Sequence, residues 1–236
     1  MSQFNLKKAK EFLMWILFPP CCPACGRSIA RDEIFCPCCL KDYFPASSGD
    51  REWKQLPAGV NLYAAARYEG SMREAIHRFK FSGHAGSAAI LAPLLVHALR
   101  ENGVKPEEIQ LLVPVPSRPK KVRARGYNQS ALLAREVSRL TDIPFSETAL
   151  LKTRDTRAQH DLNAEERQTN LSGSFRAEKA AVSGKHILLV DDILTTGATA
   201  RECIGALKDA GASSVDILVL AVTQHETGYD GAANRV

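Results

Sequence analysis

The sequence contains no internal repeat, no low-complexity tract and no evident secretory signal. Its apolar stretch from Phe12 to Phe18 falls well short of the about twenty residues that a membrane span needs. Three lysines precede this stretch, but bulky residues and Pro19-Pro20 stand where a signal peptidase needs small side chains. We therefore expect a cytoplasmic protein without a transmembrane segment, whose N-terminus forms an amphipathic helix. Peripheral membrane contact through Trp15 is the alternative for that helix.

Cysteine is scarce after residue 39, since six of the seven cysteines lie between Cys21 and Cys39. Two C-x-x-C pairs stand there, which is a spacing typical of a structural, tetrahedral Zn²⁺ site. Cys21 and Cys38 are extra thiols that could replace a ligand. A disulfide cluster and a redox C-x-x-C pair are the other interpretations, and a chain of 236 residues with 45% hydrophobic content does not need a disulfide framework. We assign the metal to Cys22, Cys25, Cys36 and Cys39.

A short aliphatic run from Ile187 to Val190 leads directly into the acid pair Asp191-Asp192. Its length and its charged borders favour a central parallel strand, and ligands bind where such strands end. The residues that follow, 195–199, offer hydroxyls, backbone N–H groups and a glycine, which suit a phosphate. The helical pattern from Ala198 to Ala210 then places a helix N-terminus at this turn.

Strand and helix signals alternate along the rest of the chain, which predicts a parallel sheet flanked by helices. We expect strands at 62–68, 111–115 and 215–222, and helices at 72–81, 86–101 and 129–140. The polar stretch from Ser47 to Gly59 is the predicted linker. It divides the chain into an N-terminal helix and zinc ribbon over residues 1–50 and a second domain over residues 51–236.

The run from Ile187 to Thr199 resembles the ribose-phosphate signature of type I phosphoribosyltransferases, which bind phosphoribosyl pyrophosphate (PRPP). The resemblance implies a type I phosphoribosyltransferase fold. It also implies that Asp191 and Asp192 hold the ribose hydroxyls, and that Mg²⁺ accompanies the pyrophosphate. By the same resemblance the 5-phosphate would lie on Thr195, Thr196, Gly197, Ala198 and Thr199.

Two further stretches, 113–116 (VPVP) and 125–129 (RGYNQ), resemble the ComF branch of these proteins, as does the N-terminal ribbon. Residues 117–125 carry several cations after a strand, and we expect a cationic loop that suits pyrophosphate or nucleic-acid phosphates. A solvated surface is the alternative for the outer lysines. By resemblance the PRPP-binding residues here are Ser117, Arg118, Lys121, Arg125, Gly126, Tyr127 and Asn128.

A third stretch follows the family pattern T-x-x-Q-x-x-L-x-x-x-x-R-x-x-N between Lys152 and Leu171. In related transferases the corresponding segment is a mobile flap, which would exclude water while a cationic transition state forms. The matching residues are Thr156, Gln159, Leu162, Arg167 and Asn170. Together, the resemblance gives a catalytic set of Asp191, Asp192, Arg125, Tyr127 and Arg167.

The ComF resemblance implies a role in natural competence or in the use of DNA as a nutrient, with single-stranded DNA and competence or recombination proteins as partners. No general base and no acceptor-recognition signature is evident, so the acceptor remains unnamed. Two other classes of function stay open. One is a PRPP-sensing or DNA-binding module without transfer chemistry, and the other is a zinc-organised adaptor for a partner protein.

Overall fold

The aliphatic runs of the sequence form the centre of a parallel sheet in the computed structural model, which describes residues 20–30, 32–47, 56–81, 83–153 and 173–223. Strand β5 (His186–Leu194) pairs with β6 (Ser214–Val222). On the outer sides, β1 (Leu62–Arg67) pairs with β6 and β2 (Leu111–Pro114) with β5, all in parallel. The sheet order is therefore β1-β6-β5-β2. The parallel pairing is what the alternation of signals predicts.

Helices cover both faces of this sheet, because successive residues of each central strand are apolar and point to opposite sides. Leu188 and Val190 pack in one apolar cluster, whereas Ile187 and Leu189 pack in the other. The described helices are α1 (Pro37–Leu40), α2 (Gly70–Phe81), α3 (Ser87–Glu101), α4 (Pro119–Arg125), α5 (Gln129–Thr141), α6 (Lys179–Val182) and α7 (Ala198–Asp209), with a 3₁₀ turn at Pro106–Glu108. Helices α2, α3 and α5 supply the first cluster and α6 and α7 the second. None of the described helices has the length and apolar character needed to cross a membrane.

Besides the short helices α1 and α6, two features differ from the sequence prediction: helix α4 and a small antiparallel strand pair. The cationic segment expected as a loop contains helix α4, which the Pro at its N-terminus and Gly126 beyond its C-terminus (φ 86°) delimit. Its mostly charged sequence has no apolar face, so periodicity does not reveal it. A small antiparallel pair, β3 (Leu150–Lys152) with β4 (Phe175–Ala177), was also not predicted, because three-residue strands leave almost no pattern.

The cysteine-rich segment packs against helix α2. Ser71 at the start of α2 donates from Oγ to the carbonyl of Cys39 at 2.5 Å. The guanidinium of Arg78 lies over Gly26, where a Cβ would come within 2.8 Å of Nη2. Cys22 and Cys36 belong to the same apolar cluster as α2. The boundary at residue 50 falls in 48–55, outside the described residues, and stays a prediction; the N-terminal helix before residue 20 lies outside them too.

Candidate functional site: an acid pair facing a cationic helix

The acid pair lies inside strand β5, which continues past it to Leu194. Asp191 Oδ1 accepts hydrogen bonds from Ser130 Oγ (2.8 Å) and from the backbone N–H of Asp192 (2.9 Å). Asp192 Oδ2 forms an ion pair with Lys80 Nζ of α2 at 2.9 Å. Each carboxylate is thus held by a side chain from a different helix: Asp191 by Ser130 of α5, and Asp192 by Lys80 of α2.

The pair is electrostatically strained. Burial, and then the adjacent charge of Asp192, raises the pKa of Asp191 to about 7, while the hydrogen bonds from Ser130 and the Asp192 N–H and the charge of Lys80 act in the opposite direction. Asp191 is therefore a carboxylate that hydrogen-bond donors or a cation from a ligand would help to ionise.

The turn at residues 195–199 connects the acid-bearing strand to α7. Gly197 adopts φ 71° at the N-cap position, a conformation that glycine takes at little cost. The backbone N–H of Ala198 contacts Thr196 Oγ1 at 3.4 Å. The predicted helix N-terminus is confirmed, and Thr199 in its first turn lines the cleft described below.

Helix α4 directs one row of its cations toward the acid pair. Arg118, the N-cap residue of α4, stands with Lys121 and Arg125 at i, i+3 and i+7, which is one face of a helix, and all three line the cleft. Lys120 and Arg123 are exposed and are not part of this lining. Burial, followed by the charges of Arg125, Arg118 and Lys80, lowers the pKa of Lys121. The cations therefore repel one another, and an anion bound in the cleft would relieve that repulsion.

Three of the predicted residues brace the loop before α5. Asn128 donates from Nδ2 to the carbonyl of Val115 (3.0 Å) and accepts at Oδ1 from Ser117 Oγ (2.9 Å). The Tyr127 hydroxyl donates to the carbonyl of Phe79 at 2.6 Å, and its ring packs on the Phe79 ring. Tyr127, Asn128 and Gly126 line a neighbouring groove rather than the acid-pair cleft.

The cleft between these elements has a volume of about 340 Å³. It lies at the carboxyl ends of β2 and β5, where ligands of parallel α/β sheets bind. Its lining comprises Lys80, Phe81, Val115, Pro116, Ser117, Arg118, Lys121, Arg125, Gln129, Ser130, Lys152, Asp191, Asp192 and Thr199. The predicted flap residues Thr156, Gln159, Arg167 and Asn170 lie outside the described residues.

Four polar residues of the cleft received no role from the sequence: Lys80, Gln129, Ser130 and Lys152. Gln129 ends the stretch 125–129 that resembles the ComF pattern, but nothing in the chain order reveals that Lys80 reaches Asp192. Ser130 and Lys152 carry no local signal, because only the packing of α5 and β3 against the sheet brings them to the acid pair.

The second candidate site is the cysteine cluster. The Sγ atoms of Cys22, Cys25, Cys36 and Cys39 all lie within 4.8 Å of one another, and those of Cys25 and Cys36 are 3.6 Å apart. A tetrahedral Zn²⁺ with Zn–S bonds of about 2.3 Å requires sulfur separations of about 3.8 Å. The four predicted cysteines are thus positioned to bind a metal, and the residues fit zinc.

The extra thiols stay outside this group. Cys38 Sγ instead accepts a hydrogen bond from Arg27 Nη1 at 3.2 Å. The backbone N–H of Cys39 lowers the pKa of Cys36 to about 7, whereas burial raises the pKa of Cys39 to about 12. All seven cysteines are free.

Comparison with known proteins places the chain. The phosphoribosyl transferase domain family matches residues 127–232. The DNA utilization protein YhgH of Escherichia coli (strain K12) is 34% identical over 211 residues, which cover 86% of this chain and 90% of that protein. The chain belongs to the ComF family. Competence protein F of Haemophilus influenzae is 29% identical over 207 residues (86% of this chain, 84% of that protein), and competence protein ComFC of Streptococcus pneumoniae is 32% identical over 197 residues (82% and 84%).

This ComF protein accordingly has a type I phosphoribosyltransferase fold, with a parallel sheet flanked by helices. The acid pair, the turn at 195–199 and α5 all fall within the matched domain, whereas α4 and the cysteine cluster precede it. Family membership and the predicted fold class are confirmed.

Proposed function

We propose that this ComF protein binds PRPP in the acid-pair cleft and transfers its phosphoribosyl group during DNA uptake or utilisation. The observation that carries the proposal is the opposition, across one cleft, of two carboxylates and three cations of α4. The carboxylates suit the ribose hydroxyls, which donate hydrogen bonds, and the cations suit the pyrophosphate. The 5-phosphate is assigned to the turn at 195–199 and the N-terminus of α7.

The chemistry follows from this arrangement. A lone pair of the acceptor forms a bond to the anomeric carbon, and the bond from that carbon to the pyrophosphate oxygen breaks with its electron pair going to the oxygen. The proton that the acceptor loses passes to the departing pyrophosphate or to solvent. Arg118, Lys121 and Arg125 would stabilise the charge that develops on the leaving pyrophosphate. Asp191 and Asp192 would hold the ribose in place.

The side chains of the cleft supply only part of the coordination that a Mg²⁺ ion needs. The anionic oxygen ligands that line the cleft are the two carboxylates, and each already makes protein contacts. Mg²⁺ keeps several waters and bridges substrate phosphates through one or two carboxylates, so these few donors suffice for an ion that arrives with PRPP. When bound, the ion would neutralise pyrophosphate charge.

Several finer assignments belong to the same proposal. Arg167, Thr156, Gln159 and Asn170 would close over the ligand as a flap, and Tyr127 and Asn128 would brace the pyrophosphate-binding residues. The metal of the cysteine cluster would be a structural zinc. Seven free cysteines suit a reducing compartment, which supports a cytoplasmic location.

The test is calorimetric titration of the intact protein with PRPP and Mg²⁺. Binding is expected in the wild type and in Asp209→Asn, which removes an exposed carboxylate from the end of α7. It is expected to be lost in the Asp191→Asn/Asp192→Asn double variant. If the folded wild type does not bind PRPP, the proposal is wrong.

A second candidate function is single-stranded DNA binding, which the outward face of α4 favours. Lys120 and Arg123 are exposed on this helix beside its cleft-facing row. Affinity for an oligonucleotide should then fall steeply with salt and drop in Lys120→Ala/Arg123→Ala. The Asp191→Asn/Asp192→Asn variant should retain it, and loss in that variant instead would assign DNA to the cleft.

A further inference from the structure

Gln129 is the most unusual polar side chain of the cleft. It is 2% exposed and lines the cleft. Its Nε2 is the one buried side-chain polar atom without a hydrogen-bond partner among the residues that the structure describes. An unpaired buried donor costs free energy, so such a group in a cleft is a candidate for pairing with a ligand acceptor.

The orientation of this amide is fixed by its neighbour. Arg125 Nη1 lies 3.0 Å from Gln129 Oε1. A guanidinium only donates hydrogen bonds, so the amide oxygen must face Arg125 and the NH₂ group must face away from it. The unpaired atom is therefore a donor, and its partner must be an acceptor.

The backbone around Gln129 favours an anionic acceptor. Gln129 is the first residue of α5, a helix of 13 residues. Asn128 at the N-cap position makes no side-chain bond to the first turn, because its side chain is engaged with Val115 and Ser117. The N–H groups of a first helical turn and the helix dipole attract negative charge.

The surrounding side chains indicate which anion would accept the hydrogen bond from Gln129. Arg125, the neighbour of Gln129, belongs to the cationic row of α4 with Arg118 and Lys121, and the pKa of Lys121 is lowered by burial and by these like charges. Of the turn at 195–199, only Thr199 reaches the lining of the cleft. The amide therefore belongs with the pyrophosphate-binding cations rather than with the 5-phosphate turn.

We infer that Gln129 is a further ligand-binding residue, whose Nε2 donates a hydrogen bond to a pyrophosphate oxygen of PRPP. This inference rests on the proposed function. It adds a neutral donor on α5 to the cations on α4, so that two helices hold the leaving group from different directions. A hydrogen bond to a charged acceptor accounts for about a 10- to 100-fold difference in affinity.

The test compares Gln129→Met with the wild type by titrating inorganic pyrophosphate, PRPP and ribose 5-phosphate, each with Mg²⁺. Affinity for pyrophosphate and PRPP should fall about 10- to 100-fold, and affinity for ribose 5-phosphate should not change. The control is Gln110→Met, which makes the same replacement at an exposed glutamine that accepts the His186 N–H (2.6 Å) at the opposite end of β5. It should bind all three ligands as the wild type does.

A second variant, Gln129→Glu, separates ligand binding from a structural role. Glutamate still accepts a hydrogen bond from Arg125, so a residue that only orients Arg125 would be replaced without loss. A carboxylate facing pyrophosphate would repel it, so Gln129→Glu should bind pyrophosphate more weakly than Gln129→Met. Its thermal unfolding midpoint, measured without ligand, should be no lower than that of the wild type.

The outcomes are distinguishable. Suppose that the wild type binds PRPP and that Gln129→Glu binds pyrophosphate with the affinity of the wild type. Gln129 is then structural, and the inference fails while the proposed function stands. If Gln129→Met weakens ribose 5-phosphate alone, the donor faces the sugar phosphate and the inference is wrong. If the wild type binds neither pyrophosphate nor PRPP, both fail.

Discussion

Replacing Lys80 by methionine tests the electrostatics of the cleft. Lys80 Nζ lies 2.9 Å from Asp192 Oδ2, and the side chains are 21% and 9% exposed. Removing one partner of a buried ion pair typically costs about 3–5 kcal/mol of unfolding free energy. Because the Lys80 side chain keeps some contact with solvent, we expect a loss at the low end, about 3 kcal/mol, or about 6–12 °C in Tm for a chain of this size.

The pH dependence of this loss identifies its cause. Burial raises the pKa of Asp191 to about 7, above its usual value of 3.8. The folded state thus binds a proton more tightly than the unfolded state, and stability falls as pH rises from about 4 to 7. The positive charge of Lys80 opposes that loss, so its removal should destabilise the protein more at pH 8 than at pH 5.

The assay is thermal unfolding at both pH values, with Lys120→Met on the exposed face of α4 as the matched control. The control should change Tm little at either pH. An equal loss at pH 5 and pH 8 in Lys80→Met would refute the coupling of Lys80 to the ionisation of Asp191 and leave only the ion pair with Asp192 and the packing of the lysine stem. An unchanged Tm at pH 8 would show that the ion pair does not stabilise the protein.

Three further predictions follow from other parts of the molecule. Gly70→Ala should lower Tm far more than Gly59→Ala does. Both glycines have positive φ, but a Cβ at Gly70 would overlap the carbonyl oxygen of Asp42, whereas a Cβ at Gly59 meets nothing within 4 Å. Chelation of a metal held by the cysteine cluster should speed amide hydrogen exchange in α2 more than in α7, because α2 shares an apolar cluster with Cys22 and Cys36 and α7 does not. Equal rates before and after chelation would contradict this. PRPP affinity should rise from pH 6 to pH 8 more steeply in the wild type than in Asp191→Asn, which lacks the titrating carboxylate, and parallel pH profiles would exclude Asp191 from binding.

The sequence predicts the sheet well because its central strands are buried on both sides. Strands β5 and β6 stand out as aliphatic runs, and α7 follows a clear apolar period. The sequence prediction gives a loop where helix α4 lies, because the helix has no apolar face and therefore no apolar period. Only the Pro at its start and the Gly after its end mark it. Short strands such as β3 and β4 depend on each other and leave no local pattern.

The candidate sites divide in the same way. Site residues that stand at fixed spacings on one segment of the chain can be found from the sequence, as with the four cysteines and the acid pair. Residues that reach a site from a distant helix are not. Lys80 arrives from α2 and Ser130 from α5, and only the folded sheet brings them to Asp192 and Asp191.

The most direct test of the central claim is a crystal structure of the full chain with Mg²⁺ and PRPP. We predict the pyrophosphate against Arg118, Lys121 and Arg125, and the ribose hydroxyls on Asp191 and Asp192. A ligand bound elsewhere, or a cleft that excludes PRPP in a well-folded protein, would contradict the account.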